Sequence, residues 1–189
     1  MVRVPQIKIL PGGLLMLSLL VFLSDVKLLA AIMGNVMIHE LGHIYLLQRC
    51  GVYIRCVNIG FTGLCIQCNL ERLPRRGYFL CSAAGPTVGL LVAFAASFIG
   101  NVLGNDFFLL FAGVGVILSV FNLFPVKPLD GWRMMFSICP KSAEVIGDLT
   151  AIVILGIGVC MMLQGYGTMF ACLGIFFLLQ GRKDTFFVR

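Results

Sequence analysis

Charged residues are scarce in this chain. They make up 12% of its 189 residues, whereas soluble domains carry about 25%. Hydrophobic residues make up 60% of the chain, and mean hydropathy is +1.03. So little polar surface excludes an ordinary water-soluble domain, and because the apolar residues also lie in long runs, the composition predicts a membrane protein.

The chain also lacks the features of nucleic-acid-binding and multidomain proteins. Its net charge is +6, but the basic residues flank apolar runs and form no stripe with an aromatic platform, so we expect no nucleic-acid partner. It contains no internal repeat, low-complexity tract or long linker. We therefore predict a single membrane-embedded domain covering residues 1–189.

Stretches with few or no charges predict six transmembrane helices, since a spanning helix needs about 20 apolar residues. These stretches cover approximately residues 9–24, 28–48, 78–104, 107–125, 145–163 and 167–181. The tripeptide Gly165-Tyr166-Gly167 offers a turn between the last two. The predicted fold class is a polytopic α-helical membrane protein of about six helices, with a small β-hairpin or sheet after the second.

The basic residues predict the orientation of these helices. With six spans, every Lys and Arg except Lys27 falls on one side of the membrane. The positive-inside rule assigns that side to the cytoplasm. We therefore expect the N- and C-termini to be cytoplasmic.

The connection between the second and third spans carries the predicted strands. It is too polar to span, and its middle is rich in Val, Ile, Thr and Phe, with two glycines as breaks. Strand edges bind extended peptides by β-augmentation. This makes the turn a candidate for substrate binding, although a plain surface hairpin is equally compatible with the pattern. The candidate residues are Gly60, Phe61, Thr62 and Gly63.

The two histidines of the chain lie in one motif, H-E-x-x-H at residues 39–43. On a helix, His39 and His43 share a face and can reach one metal ion. Glu40 can take a proton from water there, because zinc lowers the pKa of a bound water from ~15.7 to ~7. Ionisable side chains in an apolar span are functional by default. The motif predicts one zinc ion per chain and a hydrolytic reaction.

A catalytic zinc usually has three protein ligands, so a third one is needed. We favour Asp130, which follows the fourth span on the same side as His43. Two prolines before it forbid a regular helix, and irregular backbone at membrane depth is tolerated where it lines a cavity. Glu144 and Asp148 remain alternatives. Cys50 lies about 10 Å along the helix from His43 and cannot easily join the same ion.

Together these elements resemble the site-2 protease family of intramembrane zinc metalloproteases. The resemblance extends from the second span through the fourth, roughly half of the chain. The matching elements are HELGH at 39–43, Ala84-Gly85-Pro86, and the N-x-x-P-x-x-P-L-D-G pattern at 122–131. The resemblance implies that His39, His43 and Asp130 are the zinc ligands and that Glu40 is the general base. It also implies that Asn122 lies near the substrate or the transition-state oxygen.

The resemblance further implies the biological setting. The layout is similar to the compact bacterial, sporulation-type branch, whose substrates are membrane-tethered or membrane-associated proteins. We therefore expect location in a bacterial cell membrane and an active site towards the cytoplasmic side. We expect substrates to be selected by the membrane domain, by its short loops or by another chain such as a regulatory membrane protein. Two positions depart from the family pattern: Trp132 follows Gly131 where many members have a second glycine, and position 89 is Gly where Asn is frequent.

The sequence thus predicts an intramembrane zinc metalloendopeptidase. Two alternatives remain: a catalytically silent scaffold that binds zinc or substrate, and a divalent-metal transporter that uses the same ligands. The intact Glu40 argues against the scaffold. A single water-activating acid suits a closed catalytic site better than a transport pathway with successive sites.

Overall fold

The computed structural model describes residues 6–9, 14, 18, 20–22, 24–60, 63–68 and 73–183. Across these residues the chain is mostly helical, as its composition predicts. It divides into two compact units, Met1–Val120 and Phe121–Arg189. The two units are described in turn.

Three long helices belong mainly to the first unit: α1 (Val26–Arg49), α2 (Arg75–Leu103) and α3 (Asp106–Asn122). Helix α2 ends at Gly104, whose φ of +59° is the left-handed conformation that terminates helices and favours glycine. Pro74 precedes the first residue of α2, where a missing N–H has no effect on the helix. Helices α1 and α2 pack against each other, and both carry residues of the site described below.

A three-stranded sheet belongs to the same unit. Strand β1 (Gln6–Ile9) runs parallel to β2 (Ile54–Gly60), which pairs in antiparallel fashion with β3 (Gly63–Cys68). Gly60 lies opposite Gly63 at the end of the β2–β3 ladder, while Phe61 and Thr62 lie outside the described residues. Strand β1 was not predicted, because four residues before an apolar run show too little alternation to indicate a strand.

The second unit contains α4 (Asp130–Ile138), α5 (Pro140–Leu163) and α6 (Met169–Lys183). Helices α5 and α6 are separated by the turn predicted at Gly165-Tyr166-Gly167, where both glycines have positive φ. They pack closely, since a Cβ at Gly174 would lie 2.6 Å from the Leu155 Cα. The short helix α4 corrects the sequence interpretation, which treated the region before the fifth span as a connection. Its nine residues are too few for a span, so hydropathy could not reveal it.

Helices α2 and α5 are long and apolar enough to cross a membrane, and α3 and Met169–Leu179 are shorter apolar helices. Only 39% of the most apolar window of α2 and 17% of that of α5 are buried, unlike the core helix of a soluble protein. Large side chains such as Phe94 and Phe98 are about 70% exposed, as contact with lipid would allow. These helices fit a membrane protein. The six-span topology is not confirmed, because the predicted span at 9–24 lies mostly outside the described residues. The orientation of the chain in the membrane stays a prediction.

Candidate metal centre

His39 and His43 bring two ring nitrogens together on one face of α1. Both side chains are buried, with 5% and 8% of their surface exposed. Their Nε2 atoms lie 3.2 Å apart, and the rings meet edge to face. Two nitrogens bound tetrahedrally to one zinc at 2.0–2.1 Å would be about 3.3 Å apart. The spacing of the two imidazoles therefore fits a shared zinc ion.

The backbone of α2 orients one of these rings. His43 Nδ1 lies 2.7 Å from the carbonyl oxygen of Cys81. A carbonyl oxygen only accepts, so Nδ1 carries the hydrogen and donates it. In the neutral imidazole this leaves the Nε2 lone pair available to a metal, and such a second hydrogen bond is typical of metal-binding histidines. Cys81 thus contributes through its backbone, which sequence inspection could not reveal.

Gly85 provides the space beside the two Nε2 atoms. A Cβ at this position would lie 2.8 Å from His39 Nε2 and still closer to His43 Nε2. At the neighbouring residues, a Cβ at Gly42 would lie 2.9 Å from the Ala84 carbonyl oxygen. Glycines on both helices therefore let α1 and α2 approach closely where the imidazoles meet α2. The sequence marked Gly85 only as part of the Ala84-Gly85-Pro86 element, whereas the structure places it beside the ring nitrogens.

Asn35 holds α1 against α3 one turn before His39. Its side chain is 1% exposed, and its Nδ2 donates to the carbonyl oxygens of Ala31 at 2.9 Å and Phe111 at 3.0 Å. The second bond crosses to α3, where Gly115 has no side chain to block the approach of Asn35 Oδ1. Polar side chains link apolar helices in this way when no water competes. Asn35 thereby holds the histidine-bearing part of α1 to α3, while the His43–Cys81 hydrogen bond holds it to α2.

Glu40 is partly exposed, unlike the histidines on either side of it in the motif. Consecutive helical residues do not share a face, so Glu40 does not lie on the face of α1 that carries both imidazoles. Its role as the general base stays a prediction.

Asp130 begins α4 in the second unit and is 4% exposed. A carboxylate in the first helical turn interacts favourably with the helix dipole, and Arg133 Nη1 lies 3.5 Å from Asp130 Oδ1. Asp130 is buried, as are His39 and His43, and its role as the third ligand stays a prediction. The rival acids Glu144 and Asp148 are exposed on α5.

Trp132, which stands where many family members have glycine, anchors the start of α4. Its side chain is 7% exposed, its Nε1 donates to the Ala143 carbonyl oxygen at 3.0 Å, and its ring lies under the Lys127 ammonium, 4.9 Å from Nζ to the ring centroid. Gly147 on α5 leaves room for this ring. Trp132 is therefore a packing residue.

Gly131 is needed because the backbone before α4 passes directly over it. A Cβ at Gly131 would meet the Leu123 carbonyl group and would lie 2.7 Å from the Phe124 carbonyl oxygen. These are backbone atoms, which cannot turn aside as a flexible side chain can. The Asp-Gly pair of the motif thus combines a candidate ligand, Asp130, with a residue that has no Cβ, and the backbone at Leu123 and Phe124 can therefore pass close to Gly131.

We expect Gly131→Ala to destabilise the protein by about 1–3 kcal/mol, because overpacking forces a shift of the backbone. The measurement is the thermal unfolding midpoint of the purified protein in detergent, followed by circular dichroism. Gly156→Ala is the matched control: it also lies in a helix, but a Cβ there meets no atom within 4 Å. Equal midpoints for the two variants would contradict the expectation.

Comparisons with known proteins support the same interpretation. No family model matches the chain. It is 26% identical over 143 residues to a zinc metalloprotease of Methanocaldococcus jannaschii, covering 68% of this chain and 41% of that protein. It is 27% identical over 110 residues to a Synechocystis protein provisionally named a zinc metalloprotease, covering 56% and 29%. The chain thus spans less than half the length of these curated relatives.

The fold matches a solved structure over nearly its whole length. The site-2 protease from Methanocaldococcus jannaschii superposes with a TM-score of 0.70, covering 94% of this chain and 89% of that one, at 20% sequence identity. At that identity the match establishes the fold. This chain has the fold of a site-2 protease and sequence similarity to zinc metalloproteases, which confirms the family resemblance that its motifs predict.

Proposed function

We propose that this protein is an intramembrane zinc metalloprotease that cleaves membrane-associated protein substrates. The observation that carries the proposal is the pair of imidazoles of the H-E-x-x-H motif, whose Nε2 atoms lie 3.2 Å apart in an apolar, mostly helical chain. One relative is named a zinc metalloprotease and another is provisionally named one, which supports zinc over other divalent ions. The sporulation-type branch and the bacterial origin stay predictions.

His39, His43 and Asp130 would hold the ion, and their two nitrogens and one oxygen are the donor set of many catalytic zinc sites. Zinc bound there would supply Lewis acidity towards a water molecule and a peptide carbonyl. The hydrogen bond from His43 to Cys81 orients one ligand, and Gly85 keeps the adjacent space free of side-chain atoms.

Glu40 is the general base in this proposal. Its carboxylate accepts a proton from the attacking water and returns it to the nitrogen of the leaving amine, so the peptide bond breaks without releasing a charged amide. Asn122 stands at the end of α3, and its side-chain amide would donate a hydrogen bond to the carbonyl oxygen as negative charge develops there. Both roles follow the pattern of the resembling family.

The substrate must present an extended segment, because a helical amide is shielded by its own hydrogen bonds. Strand β3 is an edge of the described sheet, and edge strands pair with extended peptides through their free backbone groups. We propose that the segment around Gly60, Phe61, Thr62 and Gly63 holds an unwound portion of the substrate. Selection by a regulatory membrane protein belongs to the same proposal.

The metal content of the purified protein tests this proposal. We expect about one zinc per chain in the wild type and its loss in both His43→Ala and Asp130→Ala, measured by elemental analysis after removal of loosely bound metal. Asp148→Ala is the matched control, since it removes an exposed carboxylate from α5 and should leave zinc bound.

Each other outcome is informative. Zinc retained in Asp130→Ala but lost in Asp148→Ala would transfer the third ligand to Asp148. A carefully prepared wild type without zinc, although folded by circular dichroism, would overturn the proposed protease.

A further inference from the structure

We propose that Cys50 and Cys81 form a reversible disulfide that controls the geometry of the metal centre. Their Sγ atoms lie 4.0 Å apart, and both residues are thiols in this structure. Cys50 follows the last residue of α1, and Cys81 lies in the second turn of α2. A disulfide between them would link α1, which carries His39 and His43, to α2, which orients His43 through the Cys81 carbonyl oxygen.

The two thiols differ in exposure in the way that such a site requires. Cys50 is exposed, so a dissolved oxidant can reach it, whereas Cys81 is 5% exposed. Reaction with a peroxide converts the Cys50 thiol to a sulfenic acid and releases one water. The Cys81 sulfur then attacks the Cys50 sulfur, the S–S bond forms, and the sulfenic oxygen leaves as a second water. The peroxide takes up the two electrons, and a thiol reductant reverses the change.

Disulfide formation would act on the metal ligand through Cys81. An S–S bond is about 2.05 Å long, so the sulfurs must approach by about 2 Å from their present separation. Cys81 accepts the 2.7 Å hydrogen bond from His43 Nδ1 through its carbonyl oxygen, and His43 lies two turns before Cys50 on α1. Drawing α1 towards α2 at this end, or turning Cys81, changes that bond.

The expected consequence is weaker metal binding. Loss of a hydrogen bond to a metal-binding histidine typically lowers metal affinity 10- to 100-fold. Disulfides of proteins in reducing compartments are mostly transient and often redox-sensing. A Cys50–Cys81 disulfide would form under oxidising conditions and lower the rate of hydrolysis until a reductant breaks it. The effect on the metal rests on the proposed function, whereas formation of the disulfide does not.

The test is peroxide treatment of the purified protein, followed by thiol blocking, non-reducing digestion and mass spectrometry. We expect a cross-linked peptide that joins Cys50 to Cys81 and disappears on reduction. In parallel, competition with a zinc chelator should show an affinity at least about tenfold lower in the oxidised wild type, restored by reductant. Cys50→Ser should show neither change, and Cys160→Ser, which removes an exposed thiol from α5, should behave as the wild type.

The possible failures are distinct. Absence of the Cys50–Cys81 peptide from folded, peroxide-treated protein would overturn the modification site, and a cross-link that leaves zinc competition unchanged would overturn its control of the metal centre. A protein that never binds zinc would refute the proposed protease instead, because the cross-linked peptide is detected without any metal.

Discussion

Replacing Glu40 with Gln is expected to lower peptide hydrolysis by about 10²- to 10⁴-fold, the usual contribution of a general acid–base group, while zinc stays bound. Glutamine has nearly the size of glutamate but does not accept a proton from water at neutral pH. Two quantities are measured: zinc content, and cleavage of labelled single-span proteins reconstituted with the enzyme in lipid vesicles. A panel of such proteins is screened first to find at least one that the wild type cleaves.

Glu144→Gln is the matched control for this experiment. It makes the same chemical change at an exposed position on α5 and should retain wild-type cleavage. The Glu40 variant also separates the competing functions, because a transporter that uses the two histidines and Asp130 would keep most of its zinc flux into vesicles. Unchanged cleavage by Glu40→Gln would remove Glu40 from the mechanism.

Gly85→Ala is expected to lower zinc affinity at least about tenfold, a loss comparable with that of disturbing a hydrogen bond to a metal ligand. The added methyl would lie 2.8 Å from His39 Nε2 and closer to His43 Nε2, below any normal contact distance, so the rings or the helix backbone must shift to relieve these contacts. Affinity is measured by competition with a zinc chelator, and circular dichroism establishes that the variant is folded.

Gly113→Ala is a suitable control, because it also replaces a helical glycine in the first unit but adds a methyl with no neighbour within 4 Å. It should bind zinc like the wild type. If both variants bind zinc equally well, the space beside Gly85 does not belong to the metal centre.

Several structural features follow from the sequence because they depend on short-range periodicity. His39 and His43 are four residues apart in an uninterrupted apolar stretch, and helical geometry alone places such residues on one face. The mostly helical fold follows from long runs with few charges, and the turn at Gly165-Tyr166-Gly167 follows from two glycines that adopt positive φ. The prediction of a candidate metal pair and of a membrane-type helical chain therefore needed no tertiary information.

The limits of the sequence appear where distant segments meet. The carbonyl oxygen of Cys81 exists at every residue, so no residue type could mark it as the partner of His43, and Gly85 was indistinguishable from a glycine needed only for packing. Helix α4 was missed because nine residues are too short for a hydropathy signal. The burial of Trp132 could not be predicted, because its contacts come from α5 and the preceding loop.

The sequence by itself predicted the kind of chemistry from two imidazoles and a carboxylate within five consecutive helical residues, in a chain with few charged residues. The tertiary structure decided the surroundings of those groups, namely which backbone oxygen orients His43, which glycines admit the rings, and which thiols face each other. Residue type and spacing carry the first kind of information because a helix is a local structure. The second kind depends on how separate helices pack, where contacts of about 3 Å join residues that are dozens of positions apart.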